Sequence, residues 1–90
     1  MGKKYSGMTV EEHLRHGKSV VQIKSAIRQL LTECGSSFGT SNRATRYTKS
    51  VYDAITSLQS ALDDEYLKVA TQEDLAQHRF PYYERAIVND

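Results

Sequence analysis

The stretch Gly35-Ser-Ser-Phe-Gly-Thr-Ser-Asn42 constrains this chain more than any other, because it is dense in turn formers and divides two stripes of helical period. Before it, Val20, Ile23, Ile27, Leu30, Leu31 and Cys34 recur at helical spacing. After it, Ala44, Tyr47, Val51, Ala54, Ile55, Leu58, Ala61 and Leu62 fall within about 120° of arc. Two amphipathic helices joined by a short loop pack as an antiparallel hairpin. The pattern predicts long helices over about 18–34 and 43–62, with both stripes facing the core.

Upstream, Thr9 followed by Glu12 is a capping-box pattern, so a helix is expected to start at Val10. Val10 and Leu14 lie on a different side of that helix from the Val20–Cys34 stripe, roughly 120° away. A straight helix would expose one set, and Gly17 stands between them where a break costs least. A short helix over about 9–16 is therefore expected before the longer one, with Gly35 as C-terminal cap and Thr40 or Ser41 capping the next helix. Downstream, Asp63-Asp64-Glu65 opposes the dipole of a helix ending there, although Tyr66-Leu67-Lys68-Val69-Ala70 can continue it for two more turns. Thr71 with Asp74 marks another N-cap and a short helix to about Gln77, and Pro81 stops it. The pattern leaves open whether Tyr82–Val88 is a helical turn or an extended arm. The expected fold is all-α: an antiparallel hairpin with a short helix at each end, in one domain over 1–90.

Ninety residues suffice for one small domain, since domains typically hold about 100–150. A domain of this size buries only about 60 % of its unfolded surface, and a lone hairpin has too little else to cover its apolar stripes, so a homo-oligomer is expected. Charged residues at 26 % and apolar ones at 39 % place the chain among globular proteins. A single Cys excludes an internal disulfide framework and fits a reducing compartment. No apolar run approaches the roughly 18 residues of a membrane span, and the start lacks a signal-type apolar core. Together these point to the cytoplasm, away from membranes. The net charge of +1 hides a strong asymmetry. Residues 1–50 carry nine Lys/Arg against three acids, and residues 51–90 carry three against eight. Such a split points to an anionic partner for the basic half, or to subunits that pair basic ends with acidic ones.

Catalytic patterns are poor. His13 and His16 share a helix face at a spacing that metal sites use, but nothing places Cys34 or His78 beside them, and His16 is expected to pack along the Val20–Ile27 stripe. Cys34 ends a core stripe and is expected to act as a small hydrophobe, without a base to lower its pKa. There is no glycine-rich phosphate loop and no nucleophile elbow. The expectation is a non-enzyme with no catalytic residue, metal or cofactor. Met1-Gly2-Lys3-Lys4-Tyr5-Ser6 matches the short pattern for N-myristoylation, which a lone acyl chain would turn only into marginal membrane binding. Basic residues interleaved with aromatics carry more information. Tyr5 stands beside Lys3 and Lys4, Arg43, Arg46 and Lys49 flank Tyr47 and Thr48, and Lys24 and Arg28 are one turn apart. Cations neutralise phosphates, hydroxyls complete the hydrogen bonding, and tyrosine rings stack on bases. Taken singly, Tyr47 is expected to be a core residue, since it lies inside the apolar stripe.

Two stretches carry a resemblance to a known family. Tyr5-Ser6-Gly7-Met8-Thr9 looks like an N-terminal tyrosine, then an apolar residue and a helix cap; Asn42-Arg43-Ala44-Thr45-Arg46-Tyr47-Thr48-Lys49 looks like an Arg, four residues and Thr-Lys. In these the chain resembles the small helical-hairpin proteins by which phages sequester cyclic nucleotide signals of bacterial defence, the anti-CBASS and anti-Thoeris sponges. The resemblance covers residues 5–62. It implies a homo-oligomer, a hexamer in the family, that holds a cyclic di- or trinucleotide such as cGAMP without turning it over. It further implies that Tyr5 stacks on a nucleobase and that Arg43 and Thr48 line the pocket. The family's phosphate-reaching lysine has Lys18 as its nearest match, although Lys18 stands closer to Tyr5 than the family spacing, and Lys24 is the second candidate.

Two other readings compete. A small nucleic-acid-binding regulator would use Arg43, Arg46 and Lys49, but the domain is not strongly basic and shows no helix-turn-helix spacing, so nucleic acid is the weaker partner. A protein-interaction or inhibitor module would dock the hairpin on a larger partner. On the core assignment above, Leu58→Ala is expected to destabilise by about 2–5 kcal/mol.

Overall fold

A computed structural model describes Tyr5 and residues 7–83, and among these all regular structure is helical. Helix α1 runs over Val10–Phe38, α2 over Arg43–Val69 and α3 over Gln72–Gln77. The capping box at the start of α1 is formed: the Glu12 N–H donates to the Thr9 hydroxyl at 3.1 Å, and the Thr9 N–H donates to the Glu12 carboxylate at 2.8 Å. The same device opens α3, where the Thr71 hydroxyl and the Asp74 carboxylate exchange bonds of 3.1 and 2.9 Å with each other's backbone.

The break expected at Gly17 does not occur. Helix α1 is continuous for 29 residues, about 43 Å at 1.5 Å per residue. Gly17 serves a different end: a Cβ there would overlap the carbonyl oxygen of Pro81, so the glycine lets the C-terminal segment lie against the helix. Nor does α1 stop at Gly35. It continues to Phe38, and Gly39, at φ 87°, ends it with its N–H bonded to the Gly35 carbonyl at 3.1 Å. The loop is thus shorter than its composition suggests, and Asn42 rather than Thr40 or Ser41 caps α2, its side chain accepting from the Ala44 N–H at 2.8 Å. Helix α2 also outruns the expected 43–62. It passes through Asp63-Asp64-Glu65 because Tyr66 on the next turn is wholly buried, and Glu65 is paired with Lys68 at 2.9 Å.

The register of the hairpin is the main correction. Along the seam the buried and half-buried positions are His13, Gly17, Val20, Lys24, Ile27, Leu31 and Cys34 on α1 and Thr45, Thr48, Tyr52, Ile55, Gln59, Leu62 and Tyr66 on α2. Both sets advance by alternating steps of three and four residues, the repeat of a coiled-coil seam. Val10, Glu12, Leu14, Val21, Gly35 and Asp63 are half-buried beside the seam, and Ile23 and Leu30 of the expected α1 stripe are exposed. The expected stripe of α2 lies one residue earlier. Ala44, Tyr47, Val51, Ala54, Leu58 and Ala61 are all exposed, with only Ile55 and Leu62 shared between the two stripes. Some of the seam's polar members pair across it, whereas the Thr45 hydroxyl is buried without a hydrogen-bond partner among the described residues. The Lys24 ammonium donates to the Gln59 side-chain oxygen at 2.9 Å and lies 5.2 Å from the Tyr52 ring centre. Nearer the loop, the Cys34 thiol and the Thr48 hydroxyl meet at 4.0 Å.

At the open end of the hairpin the C-terminal segment is sewn to both long helices. The Gln59 amide donates to the Tyr82 carbonyl at 2.6 Å, the Tyr66 hydroxyl donates to the His78 carbonyl at 2.6 Å, and the Tyr82 hydroxyl meets Nδ1 of His13 at 2.6 Å. The His13 ring stands edge-on to Tyr66 and to Tyr82, both with centres 5.6 Å apart. Tyr82 thus belongs to a packed turn, not to an extended arm, and residues 84–90 lie outside the described residues.

Candidate functional site

The loop end of the hairpin gathers positive charge. Arg43 is the first residue of α2, Arg46 follows within its first turn and Lys49 in its second, and no acidic residue lies in that first turn. The N-terminus of a 27-residue helix is already the positive end of its macrodipole, so cations there are held against a local penalty. An acidic first turn is the arrangement that stability alone favours, and α1 and α3 both have it. The guanidinium of Arg43 lies 5.8 Å from the centre of the Tyr47 ring, and Tyr47 is 63 % exposed, contrary to its expected place in the core. Arg43 and Tyr47 therefore present a cation and a flat apolar ring together to solvent. Lys49 is paired with Asp53 at 3.1 Å.

The other residues expected in a pocket do not converge on this pair within one chain. Thr48 turns into the seam, where it is buried and its hydroxyl donates to the Ala44 carbonyl at 2.8 Å. Arg43 and Thr48 diverge because five residues along a helix rotate the side chain by about 140°. Lys24 is half-buried in the seam and committed to Gln59 and Tyr52. Lys18 is exposed, on α1 towards the open end. Tyr5 is 90 % exposed and precedes α1, so the length of that helix, about 43 Å, separates it from Arg43. One chain thus offers Arg43 and Tyr47 at its loop end, and Tyr5 and Lys18 at its open end.

Among the histidines, His13 and not His16 is the packed one: His13 is 1 % exposed and His16 is exposed. No group of three or more His, Cys, Asp or Glu side chains is placed to hold a metal ion among the described residues. Burial pushes the His13 imidazole below its ordinary value of 6.5, against the smaller upward pulls of Glu65 and Glu12. Burial likewise raises the Tyr66 and Tyr82 phenols, and raises the Asp63 carboxyl with help from Asp64. The cluster of His13, Gln59, Tyr66 and Tyr82 was not anticipated from the sequence. A signal for half of it existed, since Tyr52, Gln59 and Tyr66 stand seven residues apart on one helix face. The possible acylation site at Gly2 lies outside the described residues, and no helix among those described is long and apolar enough to cross a membrane.

No family model, no curated protein and no solved structure matches this chain.

Proposed function

We propose that the protein binds a cyclic oligonucleotide second messenger, a cyclic di- or trinucleotide, and sequesters it without turnover, acting in the cytoplasm as a homo-oligomer. The observation that carries this reading is the loop end of the hairpin: Arg43 and Arg46 at the positive end of α2, with the exposed Tyr47 ring beside Arg43. A phosphodiester supplies the negative charge this helix start lacks, and a tyrosine face accepts a nucleobase. The resemblance of residues 5–62 to the phage sponges of cyclic nucleotide signals supports the same class of ligand, and extends it to a role in evading bacterial defence and to a hexamer. In that reading Tyr5 adds a second stacking ring, and Lys18 reaches phosphate more readily than Lys24, which is held inside the hairpin.

A thermal-melt panel of cyclic di- and trinucleotides tests it. Bound ligand raises the melting temperature and is recovered intact after denaturation. Arg43→Ala and Tyr5→Ala abolish the shift without lowering the melting temperature of the free protein, because both side chains lie outside the packed interior. A melting curve that no cyclic nucleotide moves, at concentrations well above micromolar, rejects the reading.

A further inference from the structure

We infer that the stripe left outside the hairpin is the seat of a second copy of this chain, docked antiparallel so that the loop end of each copy covers the open end of the other. The inference deepens the self-association in the reading above and is independent of the ligand. It begins with the register. In an antiparallel pair, stepping back one residue from the seam turns the side chains of both helices to the same side of the hairpin. That step reaches nine apolar residues, Ile23, Ala26 and Leu30 on α1 and Ala44, Tyr47, Val51, Ala54, Leu58 and Ala61 on α2, with Glu12, His16, Ser19, Glu33 and Glu65 towards the ends of the two rows. All nine are exposed. Stepping forward instead reaches Leu14, Val21 and Leu67 but otherwise Gly35 and polar residues such as Ser25, Arg28, Lys49 and Thr56, so the opposite side is mostly polar. One side of the hairpin thus carries an apolar face, long on α2 and short on α1.

Its extent fits an interface better than a solvated surface. From Ala44 to Ala61 it runs about 25 Å along α2. Ile23 at 52 %, Leu30 at 48 %, and Val51 and Leu58 at 45 % exposure are its large members, and Tyr47 stands at its loop-end edge beside Arg43. With the exposed alanines they form an apolar patch of the kind that marks an interaction surface. The stripe also keeps the three-four alternation of a helical seam, which a face meant for water has no reason to keep.

Charge selects both the occupant and its direction. Cut across its middle, the hairpin has a loop half, residues 24–56, with five Lys/Arg against two acids. The open half, residues 7–23 and 57–83, has four Lys/Arg against seven acids. The two ends of the hairpin therefore carry opposite net charges, each matched by the other end of an identical hairpin. Docked with loop on loop, two copies set like charges together; docked loop to open end, every positive end meets a negative one. A two-fold axis across the face generates this arrangement and lays α2 against the α2 of the second copy, forming a four-helix bundle. It also removes the separation found within one chain, because Tyr5 and Lys18 of one copy arrive at the end where the other presents Arg43 and Tyr47.

Sedimentation of the ligand-free protein, together with two kinds of variant, tests this. The expected mass is twice the 10.2 kDa chain or a whole-number multiple of that dimer. Leu58→Glu and Ala54→Glu, each on the exposed face, weaken association by roughly 30-fold or more while helix content is retained. Thr56→Glu, on the polar side, leaves it unchanged. For direction, in a Cys34→Ala background the double variant Ala44→Cys/Ala61→Cys cross-links into a covalent dimer on oxidation and neither single variant does. A monomer at high concentration, a dimer indifferent to both Glu substitutions, or cross-linking no better in the double variant than in the singles overturns the inference. A dimer that ignores every cyclic nucleotide would reject the ligand and leave this surface standing; a monomer that binds one would do the reverse.

Discussion

The Tyr82 hydroxyl meets Nδ1 of His13 at 2.6 Å across 69 residues of sequence, and both side chains are buried. The bond ties the first turns of α1 to the segment that follows α3. Tyr82→Phe removes the hydroxyl and leaves Nδ1 buried without a partner, which costs about 1–3 kcal/mol. Urea denaturation of the variant against the parent measures it, and an unchanged midpoint would show the bond to be dispensable.

The same imidazole gives stability a pH dependence of definite sign. Burial holds the His13 pKa below 6.5 in the folded chain, and the charges acting on it are Glu65 and Glu12, which raise it, and His16, which lowers it. Below about pH 6.5 the unfolded chain takes up a proton that the folded one refuses, so stability falls as the pH drops through that point. Asp63 acts in the opposite sense at lower pH: its pKa is raised, so protonation there favours the folded state. Stability of the parent should decline between about pH 7 and 5.5, and His13→Gln should flatten that decline. Melting temperature against pH checks it, and an equal slope in both proteins would assign the effect to other groups.

Two glycines of α1 should respond in opposite ways. Gly17→Ala places a methyl group into the Pro81 carbonyl and destabilises by about 1–3 kcal/mol, or expels the C-terminal segment. Gly35→Ala meets open space inside a helix and stabilises by roughly 0.5–1 kcal/mol. Paired denaturation curves compare them directly.

The expected loss on Leu58→Ala must be revised, because Leu58 is 45 % exposed in the chain. In dilute, dissociated protein the change should cost less than about 1 kcal/mol, whereas Tyr66→Ala, at a wholly buried position, should cost about 3–5 kcal/mol. If Leu58 is covered by a second copy, its cost grows with protein concentration while that of Tyr66 does not. Melts over a hundredfold range of concentration separate the two.

The helical hairpin was legible in the sequence because period and punctuation agreed: a stripe on each side of Gly35–Asn42, with Thr9/Glu12 and Thr71/Asp74 as caps. The seam was not legible. A hydrophobic pattern ranks Ala44, Tyr47 and Leu58 above Thr45, Thr48 and Gln59, and cannot register that Gln59 finds both Lys24 and the Tyr82 backbone. The break at Gly17 failed for a related reason. A glycine admits a bend or a neighbour, and only the position of Pro81 distinguishes them. For the site, residue types suggested which side chains suit a phosphorylated ligand, but spacing along the chain hid that Tyr5 and Arg43 stand at opposite ends and that Thr48 faces inward.

The reach from His13 to Tyr82 bears on how the molecule is born. At about 5–20 residues per second, a ribosome needs roughly 4–14 s to make the intervening chain, whereas helices of this kind form in microseconds to milliseconds. For all that time the first turns of α1 wait without their partner, and the open end of the hairpin closes only after Tyr82 has been made.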